Sequence, residues 1–297
     1  MAVNSGDTIN ATDYNTVQSR INTIMNTDYG QSLSSSQVSV GQTVTDTQFD
    51  NLRTDITKAY THQQGVAPTI TDVADGDTIL AATINQYETL MTSVETNKFL
   101  VGSGQSTIEA SNSNSTRNTQ WGGGGGGVIT HTITVNFTSA TARIQFFNSG
   151  GQIRFSANRS GGSSSSKNTD WTNLLSAMGT VIFNYTDTTA SSGTGQSLGG
   201  LDLSTSYQNI FTKTGSGNYA ENDYNIQARY TGTGNSNIQF QIEFRDDDTG
   251  DQQGGFKAGS AIDEYVDGTI ESVVQHRRAT GSNVQVPAPT YTNNSLL

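Results

Sequence analysis

No cysteine occurs among the 297 residues, and proline occurs only three times. Without cysteine the chain has neither disulfides nor thiolate metal sites, so its fold depends on packing and hydrogen bonds. Basic residues are also scarce: 15 Lys and Arg stand against 26 Asp and Glu, which gives a formal net charge of -11. Because proteins that bind nucleic acid neutralise phosphates with Lys and Arg, this balance argues against a nucleic-acid partner.

Long apolar runs are missing as well. No segment approaches the roughly 20 apolar residues of a membrane-spanning helix, so we expect no membrane insertion. Residues 1–13 have neither a basic stretch nor an apolar run of about 7 residues, and they do not resemble a secretory signal peptide. We therefore expect a protein that is made in the cytoplasm. With 32% hydrophobic and 14% charged residues, it folds around thin cores.

A repeat occupies the N-terminal third of the chain. Gly6, Gly41 and Gly76 are spaced by 35 residues. Aligning the chain on these glycines brings three segments into register: GDTINATDYNTVQSRINTI, GQTVTDTQFDNLRTDITKA and GDTILAATINQYETLMTSV. The sequence therefore predicts a three-fold internal repeat over residues 1–100.

After each glycine, apolar residues recur at steps of three and four, which is the spacing of one helix face. The three stripes contain Tyr14, Val17 and Ile21; Phe49, Leu52 and Ile56; and Ile84, Tyr87 and Met91. Asn10 and Thr45 are good N-cap residues where two of the helices should begin, whereas Leu80 is not.

Each copy of the repeat is predicted to be an extended arm, a glycine turn and a helix of about four turns. Because a single apolar stripe must be buried against another element, we expect the three copies to pack as a small bundle. The copies are either spacers of one fold or docking modules for quasi-equivalent sites.

Residues 101–127 read VGSGQSTIEASNSNSTRNTQWGGGGGG, a composition typical of a flexible linker. The run Gly122–Gly127 formally fits a dinucleotide-binding Gly-x-Gly-x-x-Gly pattern. No predicted strand precedes it, however, and no acidic residue follows about 20 positions later in a βαβ unit. We therefore expect no dinucleotide site and no other cofactor.

Residues 128–297 alternate apolar and polar side chains in several short runs, the pattern of half-buried strands. These runs are Ile129–Phe137, Ile153–Ala157, Val181–Tyr185, Tyr224–Tyr230, Ile238–Phe244, Ile270–His276 and, less regularly, Tyr207–Lys213. Turns rich in Gly, Ser, Asn and Asp separate them. The pattern predicts an antiparallel β-sandwich of the jelly-roll or immunoglobulin-like kind, with a C-terminal tail.

Two helical segments interrupt these strands. Thr169 is the expected N-cap of DWTNLLSAM, which should end at Gly179. The stretch Ser139–Asn148 fits either a helix or a strand. The predicted fold class is therefore α+β and multidomain, with a helical repeat over 1–100, a linker over 101–127 and a β-sandwich over 128–297.

Catalytic patterns are weak in this chain. Gly195–Gly199 matches the Gly-x-Ser-x-Gly nucleophile elbow, which works only as a sharp strand-to-helix turn beside a histidine. Here it lies in a stretch of Gly and Ser, and the chain has three histidines. His131 and His276 fall on inward-facing strand positions, where a hydrogen-bonded core histidine is expected. Spacing does not assign an acid and a base among Glu243, Asp263, Glu264 and Asp267, so we predict no enzymatic activity.

Four carboxylates cluster in the stretch Arg245–Asp251. Asp246, Asp248 and Asp251 are candidate calcium ligands, because calcium prefers oxygen-rich loops. The spacing departs from the helix–loop–helix calcium site, since Asp251 stands where that loop has its glycine. The simpler interpretation is a solvated acidic loop.

Several phrases resemble a known family. They are the repeated GDTI units, the glycine linker, FFNSGGQIRFSANRSGG, NTDWTNLLSAMGTVIF, SYQNIFTKTGSG and the final VDGTIESVVQHRRATGSNVQVPAPTYTNNSLL. They resemble virion structural proteins of tailed bacteriophages, particularly contractile-tailed phages of marine bacteria and cyanobacteria. The resemblance implies a structural protein of the tail, neck or fibre region. It also implies location in the virion, other virion proteins as partners, and a homo-oligomer with three-fold or six-fold symmetry.

The leading hypothesis is thus a structural virion protein that docks through one domain and projects or bridges with the other. The alternative is a carbohydrate-binding adhesin for a host-surface glycan. Its sugar-stacking candidates are Trp171, Tyr207, Tyr219, Tyr224 and Tyr230, although aromatic residues at alternating positions are usually core. An enzyme that degrades a surface polymer is the third hypothesis.

Overall fold

The structure is a computed structural model, and it describes residues 4, 9–110, 113–123, 126–248 and 265–297. Within these ranges it contains five α-helices and fourteen strands in antiparallel sheets, an α+β composition. The helices are α1 (Ala11–Asn22), α2 (Asp46–Gln64), α3 (Ala81–Thr96), α4 (Ala140–Asn148) and α5 (Ser166–Met178). A π-helical segment, Thr23–Asp28, follows α1.

The strands are short, and most lie in the second half of the chain. They are β1 (Ser106–Ala110), β2 (Ser115–Arg117), β3 (Trp121–Gly122), β4 (Gly127–Asn136), β5 (Gln152–Ser160), β6 (Val181–Phe183), β7 (Thr188–Thr189), β8 (Thr194–Gly195), β9 (Gln208–Thr214), β10 (Asp223–Thr231), β11 (Asn237–Asp246), β12 (Tyr265–Val266), β13 (Thr269–Ala279) and β14 (Thr290–Ser295).

The chain forms two compact units. The helical unit comprises Met1–Thr107, Ile144–Gly151 and Arg278–Pro287. The sheet unit comprises Ile108–Arg143, Gln152–Arg277 and Ala288–Leu297. The sequence placed domain boundaries near residues 100 and 127, whereas in the structure two short segments from the C-terminal half belong to the helical unit.

Capping residues set where the first two helices begin. Oδ1 of Asn10 accepts hydrogen bonds from the backbone N–H groups of Thr12 and Asp13, and the Asp13 carboxylate accepts one from Asn10 in return. Thr45 and Gln48 form the same reciprocal pair at α2. These capping boxes satisfy N–H groups that would otherwise have no partner in the first turn. Leu80 caps α3 without a side-chain hydrogen bond, as its chemistry predicts.

The starts of α1, α2 and α3 lie 35 residues apart, the same interval that separates the three glycines. All nine stripe residues named above have no exposed surface. Their aromatic rings meet edge to face, with centroids 5.5 Å apart for Tyr14 and Phe49 and 5.7 Å apart for Phe49 and Tyr87. The apolar faces of the three helices therefore share one core.

Polar side chains fix the extended segment before α2 to the helices. The Asn15 amide donates to the Val38 carbonyl at 2.8 Å and accepts from the Val38 N–H at 2.8 Å, so it pairs with the backbone as a neighbouring strand would. The buried Asp55 carboxylate accepts from the backbone N–H groups of Ser34 and Ser35. Both contacts satisfy buried polar groups, which would be costly if left unpaired.

The sheet unit contains two larger sheets. Sheet 1 has the strand order β1-β13-β5-β6-β7, with β2 also paired to β13, and sheet 2 has the order β14-β4-β11-β10-β9-β8. Side chains of the two sheets touch: the Phe240 ring lies 4.9 Å from that of Phe155 and 5.2 Å from that of Phe183, centroid to centroid. Burial alternates strictly along β10 and β11, as expected for strands with one face in a core.

The interval that composition indicated as a linker contains β1, β2 and β3. Trp121 is the large aromatic residue of this interval. This ring is buried in the sheet unit, 5.2 Å from the Trp171 ring, and the residue pairs with Val266 in a two-stranded sheet. One large aromatic residue thus offsets the low apolar content of its neighbours.

One further element differs from expectation, and another decides between two alternatives that the sequence left open. Helix α5 begins at Ser166 and not after Thr169, because the Ser165 hydroxyl accepts the Asn168 N–H at 3.2 Å and acts as the N-cap. The segment Ser139–Asn148, left open between helix and strand, contains helix α4. In the C-terminal tail, Thr290–Ser295 forms strand β14 at the edge of sheet 2.

Candidate functional site

A cleft of about 610 Å³ opens in the helical unit where the three helices begin. Three segments line it, Ile9–Ala11, Gly41–Val44 and Thr78–Ile79. When the chain is shifted by 35 residues, the three segments overlap at one position that lines the cleft in every copy. The lining therefore brings together the half-exposed aliphatic residues that precede each helix: Ile9, Val44 and Ile79.

Equivalent glycine turns lead into two of these segments. Gly41 and Gly76 have φ angles of +87° and +85°, a region that favours glycine because a Cβ would clash with the backbone. The Gln42 N–H donates to the Ser39 carbonyl at 3.0 Å, and the Asp77 N–H donates to the Ala74 carbonyl at 3.0 Å. The second and third approaches to the cleft thus share one backbone conformation.

The segments around the cleft carry charge of one sign. Six aspartates and no Lys or Arg occur within residues 9–19, 39–52 and 72–83. Arg53, just outside these ranges, binds two of the carboxylates, Asp50 at 3.1 Å and Asp72 at 2.9 Å. Val40 and Leu80 are large apolar residues that lie exposed beside the lining segments. The lining of the cleft is uncharged and partly aliphatic, and the chain segments that contribute it carry an excess of aspartate.

A lysine lies among the residues considered for calcium. The Lys167 ammonium is 3.1 Å from Oδ1 of Asp246 and 3.2 Å from Oδ2 of Asp248, and all three side chains are buried. Asp251 lies outside the described residues. A calcium ion at Asp246 and Asp248 would have to displace this ammonium, and the described ranges contain no group of three His, Asp or Glu side chains suited to a metal. The cluster acts as an internal ion network.

Glycines enclose the Asp246 carboxylate. The Gly123 N–H donates to Oδ2 at 3.0 Å, and a Cβ placed on Gly122 would lie 1.9 Å from the same oxygen. Burial raises the pKa of Asp246 above its ordinary value, although the Gly123 hydrogen bond and Lys167 act in the opposite direction. Composition indicated that the glycine run is flexible. At Gly122 and Gly123, however, its backbone packs directly against the Asp246 carboxylate.

His131 has partners that resemble parts of a hydrolytic triad. Its Nδ1 lies 3.0 Å from the Ser272 hydroxyl, and its Nε2 lies 3.1 Å from Oδ1 of Asn293. Because an amide oxygen only accepts, Nε2 carries the proton and Nδ1 accepts from Ser272. Ser272 and His131 have no exposed surface, so a substrate cannot reach the hydroxyl. Burial lowers the pKa of His131, and the neutral ring serves as a hydrogen-bonded core residue.

His276, the second histidine on an inward strand position, is also held by hydrogen bonds to neighbouring side chains. Nε2 of His276 lies 3.0 Å from the Glu109 carboxylate, and Nδ1 lies 2.8 Å from the Tyr291 hydroxyl. The His276 and Tyr291 rings stack with centroids 5.8 Å apart. His131 and His276 thus both attach β14 to the strands beside it.

The remaining catalytic candidates that the structure describes show no catalytic arrangement. Ser197 lies exposed in the irregular segment after β8, where no helix follows, so the stretch lacks the strand-to-helix geometry of a nucleophile elbow. Asp263 and Glu264 lie outside the described residues. The Asp267 carboxylate accepts from Arg159 at 3.0 Å and from the Ser163 backbone at 3.0 Å, so it ties two turns together.

Four of the five aromatic residues considered for sugar stacking lie in the core or in a separate turn. Trp171, Tyr224 and Tyr230 are buried in the core of the sheet unit, and Tyr219 lies half-exposed in a 3-10 turn. These residues therefore do not form one platform.

Tyr207 lies on the outer side of sheet 2. Its hydroxyl donates to Oε1 of Gln239 at 2.8 Å, and the Arg229 guanidinium lies 4.3 Å from its ring centroid. Sequence reasoning missed Arg229 and Gln239, although their outward-facing strand positions were readable from the alternation.

Comparison with protein-family models, with curated proteins and with solved structures gives no match to this chain. Among the described residues, no helix has both the length and the apolar character needed to cross a membrane. The function is therefore inferred from the geometry of the two units.

Proposed function

We propose that this chain is a non-enzymatic structural component of a phage virion, in its tail, neck or fibre region. The resemblance of its recurring phrases to virion proteins of tailed phages suggests this class. The observation that carries the proposal is the cleft in the helical unit, which three equivalent segments line together. A surface assembled from repeated segments suits attachment to a partner better than it suits catalysis.

The finer description of the fold belongs to the same proposal. Helix starts and glycine turns at intervals of 35 residues support a three-fold repeat of arm, turn and helix. Two antiparallel sheets with contacting aromatic side chains support a β-sandwich of the jelly-roll or immunoglobulin-like kind. In this proposal the helical repeat is the docking region, and the sandwich projects or bridges.

Charge suggests the kind of virion protein that docks at the cleft. The segments that contribute the aliphatic opening carry six aspartates within residues 9–19, 39–52 and 72–83, and Arg53 pairs with two of them, so a partner with an apolar tip and a positively charged rim complements this part of the unit. A second copy of the same acidic surface would be repelled. The chain associates with its own copies around a three-fold or six-fold axis, where several weak contacts hold by effective concentration.

Antibody labelling of purified phage particles tests the location. Gold-labelled antibodies against the full chain should mark the tail, neck or fibre region in electron micrographs. Label on none of these, with the chain recovered only from the soluble host fraction, would contradict the proposal.

A matched pair of variants tests the docking region. Val44→Asp places a charge in the cleft lining, whereas Val66→Asp makes the same change at an exposed valine after α2. Phage carrying Val44→Asp should contain at least about tenfold less of the chain, because a charged side chain disfavours an apolar contact. Val66→Asp should be incorporated normally. Equal incorporation of both variants would remove the cleft from the proposal.

The alternative function, a carbohydrate-binding adhesin, has support from a different surface. The outer face of sheet 2 carries Tyr207 with Arg229 and Gln239 fixed beside it. This surface lies in the sheet unit and does not depend on the docking role of the helical unit.

A further inference from the structure

The outer face of sheet 2 is a regular surface of polar side chains. Strands β4, β11 and β10 pair without a register shift over their shared length. Their outward positions hold Thr130, Thr132, Thr134 and Asn136 in β4; Asn237, Gln239, Gln241, Glu243 and Arg245 in β11; and Asp223, Asn225, Gln227, Arg229 and Thr231 in β10. Of these side chains Thr134 is buried, and its hydroxyl donates to Asn294 Oδ1. Ten of these fourteen side chains are hydroxyls or amides.

These groups match the hydrogen-bonding chemistry of sugars. Every sugar hydroxyl both donates and accepts, and so do the side chains of Thr, Asn and Gln. A planar amide offers its donor and acceptor side by side, so it can bind two neighbouring hydroxyls at once. A repeated array of such groups suits a repeated polyol better than it suits a single small ligand.

The centre of this face is fixed by a row of hydrogen bonds across the strands. Oε1 of Gln239 accepts from the Tyr207 hydroxyl at 2.8 Å and from Arg229 Nη2 at 2.6 Å. Nε2 of Gln239 donates to Thr134 Oγ1 and to Asn294 Oδ1, both at 3.3 Å. The row runs from β14 to the start of β9, roughly 19 Å at the usual spacing of strands. Side chains held in this way lose little conformational entropy when a ligand binds.

The charges on this face exclude other polymers. Arg229 and Arg245 are balanced by Asp223 and Glu243, so the face has no net charge with which to bind a polyanion. Of the outward residues of β4, β10 and β11, only Val128 at one end of β4 is aliphatic, and the one aromatic ring placed on this face is that of Tyr207. A neutral polyol remains as the ligand that complements it.

From this geometry we propose that the outer face of sheet 2 binds a neutral polysaccharide, with Tyr207, Arg229 and Gln239 at its centre. The Tyr207 ring supplies an apolar edge for a sugar ring, and the Arg229 N–H groups that do not bond to Gln239 donate to its hydroxyls. The Gln239 amide has both donors and its acceptor engaged within the protein, so it positions Tyr207 and Arg229 and does not bond to the sugar itself. The row spans several sugar units, so affinity rises with the length of the glycan.

Biolayer interferometry with the full chain tests this proposal. The immobilised probes are dextran, mannan and laminarin, which are neutral, and dextran sulfate, which is the charged counterpart of the first. We expect binding to at least one neutral polymer and no stronger binding to dextran sulfate. Tyr207→Ala should weaken that binding about tenfold, because truncating a central contact costs more than one at the rim. Gln239→Ala should weaken it to a similar extent, about tenfold, because it releases the row that positions Tyr207 and Arg229.

Gln275→Ala is the matched control, since Gln275 holds the same kind of outward position on β13 of sheet 1. It should change the affinity less than about twofold. Arg229→Lys keeps the charge but loses the planar fork, so it should also weaken binding in a chain that melts normally. Binding to none of the neutral polymers overturns the proposal. So does binding to dextran sulfate alone, or an equal loss in Gln275→Ala and Gln239→Ala.

Discussion

Lys167 is a buried lysine at the centre of an ion network in the sheet unit. Its ammonium lies within 3.2 Å of both Asp246 and Asp248, and all three groups are buried. Removing one partner of a buried ion network leaves charge without compensation, which costs about 3–5 kcal/mol. Lys167→Met should therefore lower the free energy of unfolding of the sheet unit by about that amount, measured by urea denaturation of the full chain.

Lys213→Met is the control for this prediction. Lys213 lies half-buried on β9 of the same unit, and its replacement should change the free energy of unfolding by no more than about 1 kcal/mol. If the two variants unfold at the same urea concentration, the buried network is not a stabilising feature.

Gly122 illustrates a steric requirement that composition hides. Its φ angle is +73°, and a Cβ there would lie 1.9 Å from Asp246 Oδ2. Gly161 has a similar φ of +68° but nothing within 4 Å of an added Cβ. Gly122→Ala should destabilise the sheet unit by at least about 2 kcal/mol more than Gly161→Ala, because both are strained but only one clashes. Equal melting temperatures of the two variants would contradict this placement of the glycine run.

Asp223 makes the stability of the sheet unit depend on pH. Burial raises the pKa of Asp223 to about 6. The neighbouring carboxylates of Asp247 and Glu243 also raise this pKa, whereas Arg245 lowers it. Because this pKa lies above the ordinary value of 3.8, the folded state binds the proton more tightly than the unfolded state. Stability from the neutral side chain is complete below about pH 4 and is lost as the pH rises through about 6.

The Asn side chain in Asp223→Asn is neutral at every pH. At pH 7 the free energy of unfolding of this variant should exceed that of the wild type by on the order of 1 kcal/mol, which allows for the lost, partly exposed contact with Arg245. At pH 4 the two proteins should unfold alike. Urea titrations at both pH values measure this difference. A variant that is less stable at pH 7, or a difference that does not change with pH, would contradict the sign.

The packing of α1, α2 and α3 predicts how the helical unit responds to charge. Phe49 is fully buried between Tyr14 and Tyr87, so Phe49→Asp places an unpaired carboxylate in the shared core and should unfold the unit. Thr47→Asp is the control, because this exposed position in the first turn of α2 favours a negative charge. In circular-dichroism melts the helical transition should be lost in Phe49→Asp and should remain in Thr47→Asp. Similar melts would refute the shared core.

Periodicity predicted the elements that bury an apolar face. The alternation at Tyr224–Tyr230 and Ile238–Phe244 corresponds to β10 and β11, and the capping chemistry of Asn10 and Thr45 predicted two helix starts. The elements that the sequence did not indicate have little apolar surface of their own. Strand β14 contains one large apolar residue, Tyr291, and it is attached through the side chains of His131 and His276.

The candidate sites were less predictable because they join distant parts of the chain. The stretch Arg245–Asp251 showed four carboxylates, but the lysine between two of them is 79 residues away from Asp246. The row at Gln239 joins residues of four strands and Tyr207, which precedes β9, and no spacing in the sequence indicates it. The cleft is the exception, since its three lining segments are the ones that the repeat brought into register.

The two compact units do not have the boundaries that the sequence predicted, because each unit contains segments from distant parts of the chain. Segments 144–151 and 278–287 belong to the helical unit although they follow the predicted linker. Asn148 donates to Asp28 at 3.1 Å, and Gln31 donates to the Gln285 carbonyl at 2.8 Å, both within that unit. Such long-range pairs leave no trace in local composition, which reports the polarity of a segment but not its partners.

The central claim is that the chain is a repeated structural part of a virion, and copy number measures this directly. Quantitative mass spectrometry of purified phage particles, calibrated against the full chain, gives the number of copies per particle. Closed symmetric assembly predicts a multiple of three or six, because tails and fibres are cyclic. Absence of the chain from the particle, or one copy per particle of a protein that is monomeric in solution, would contradict the account.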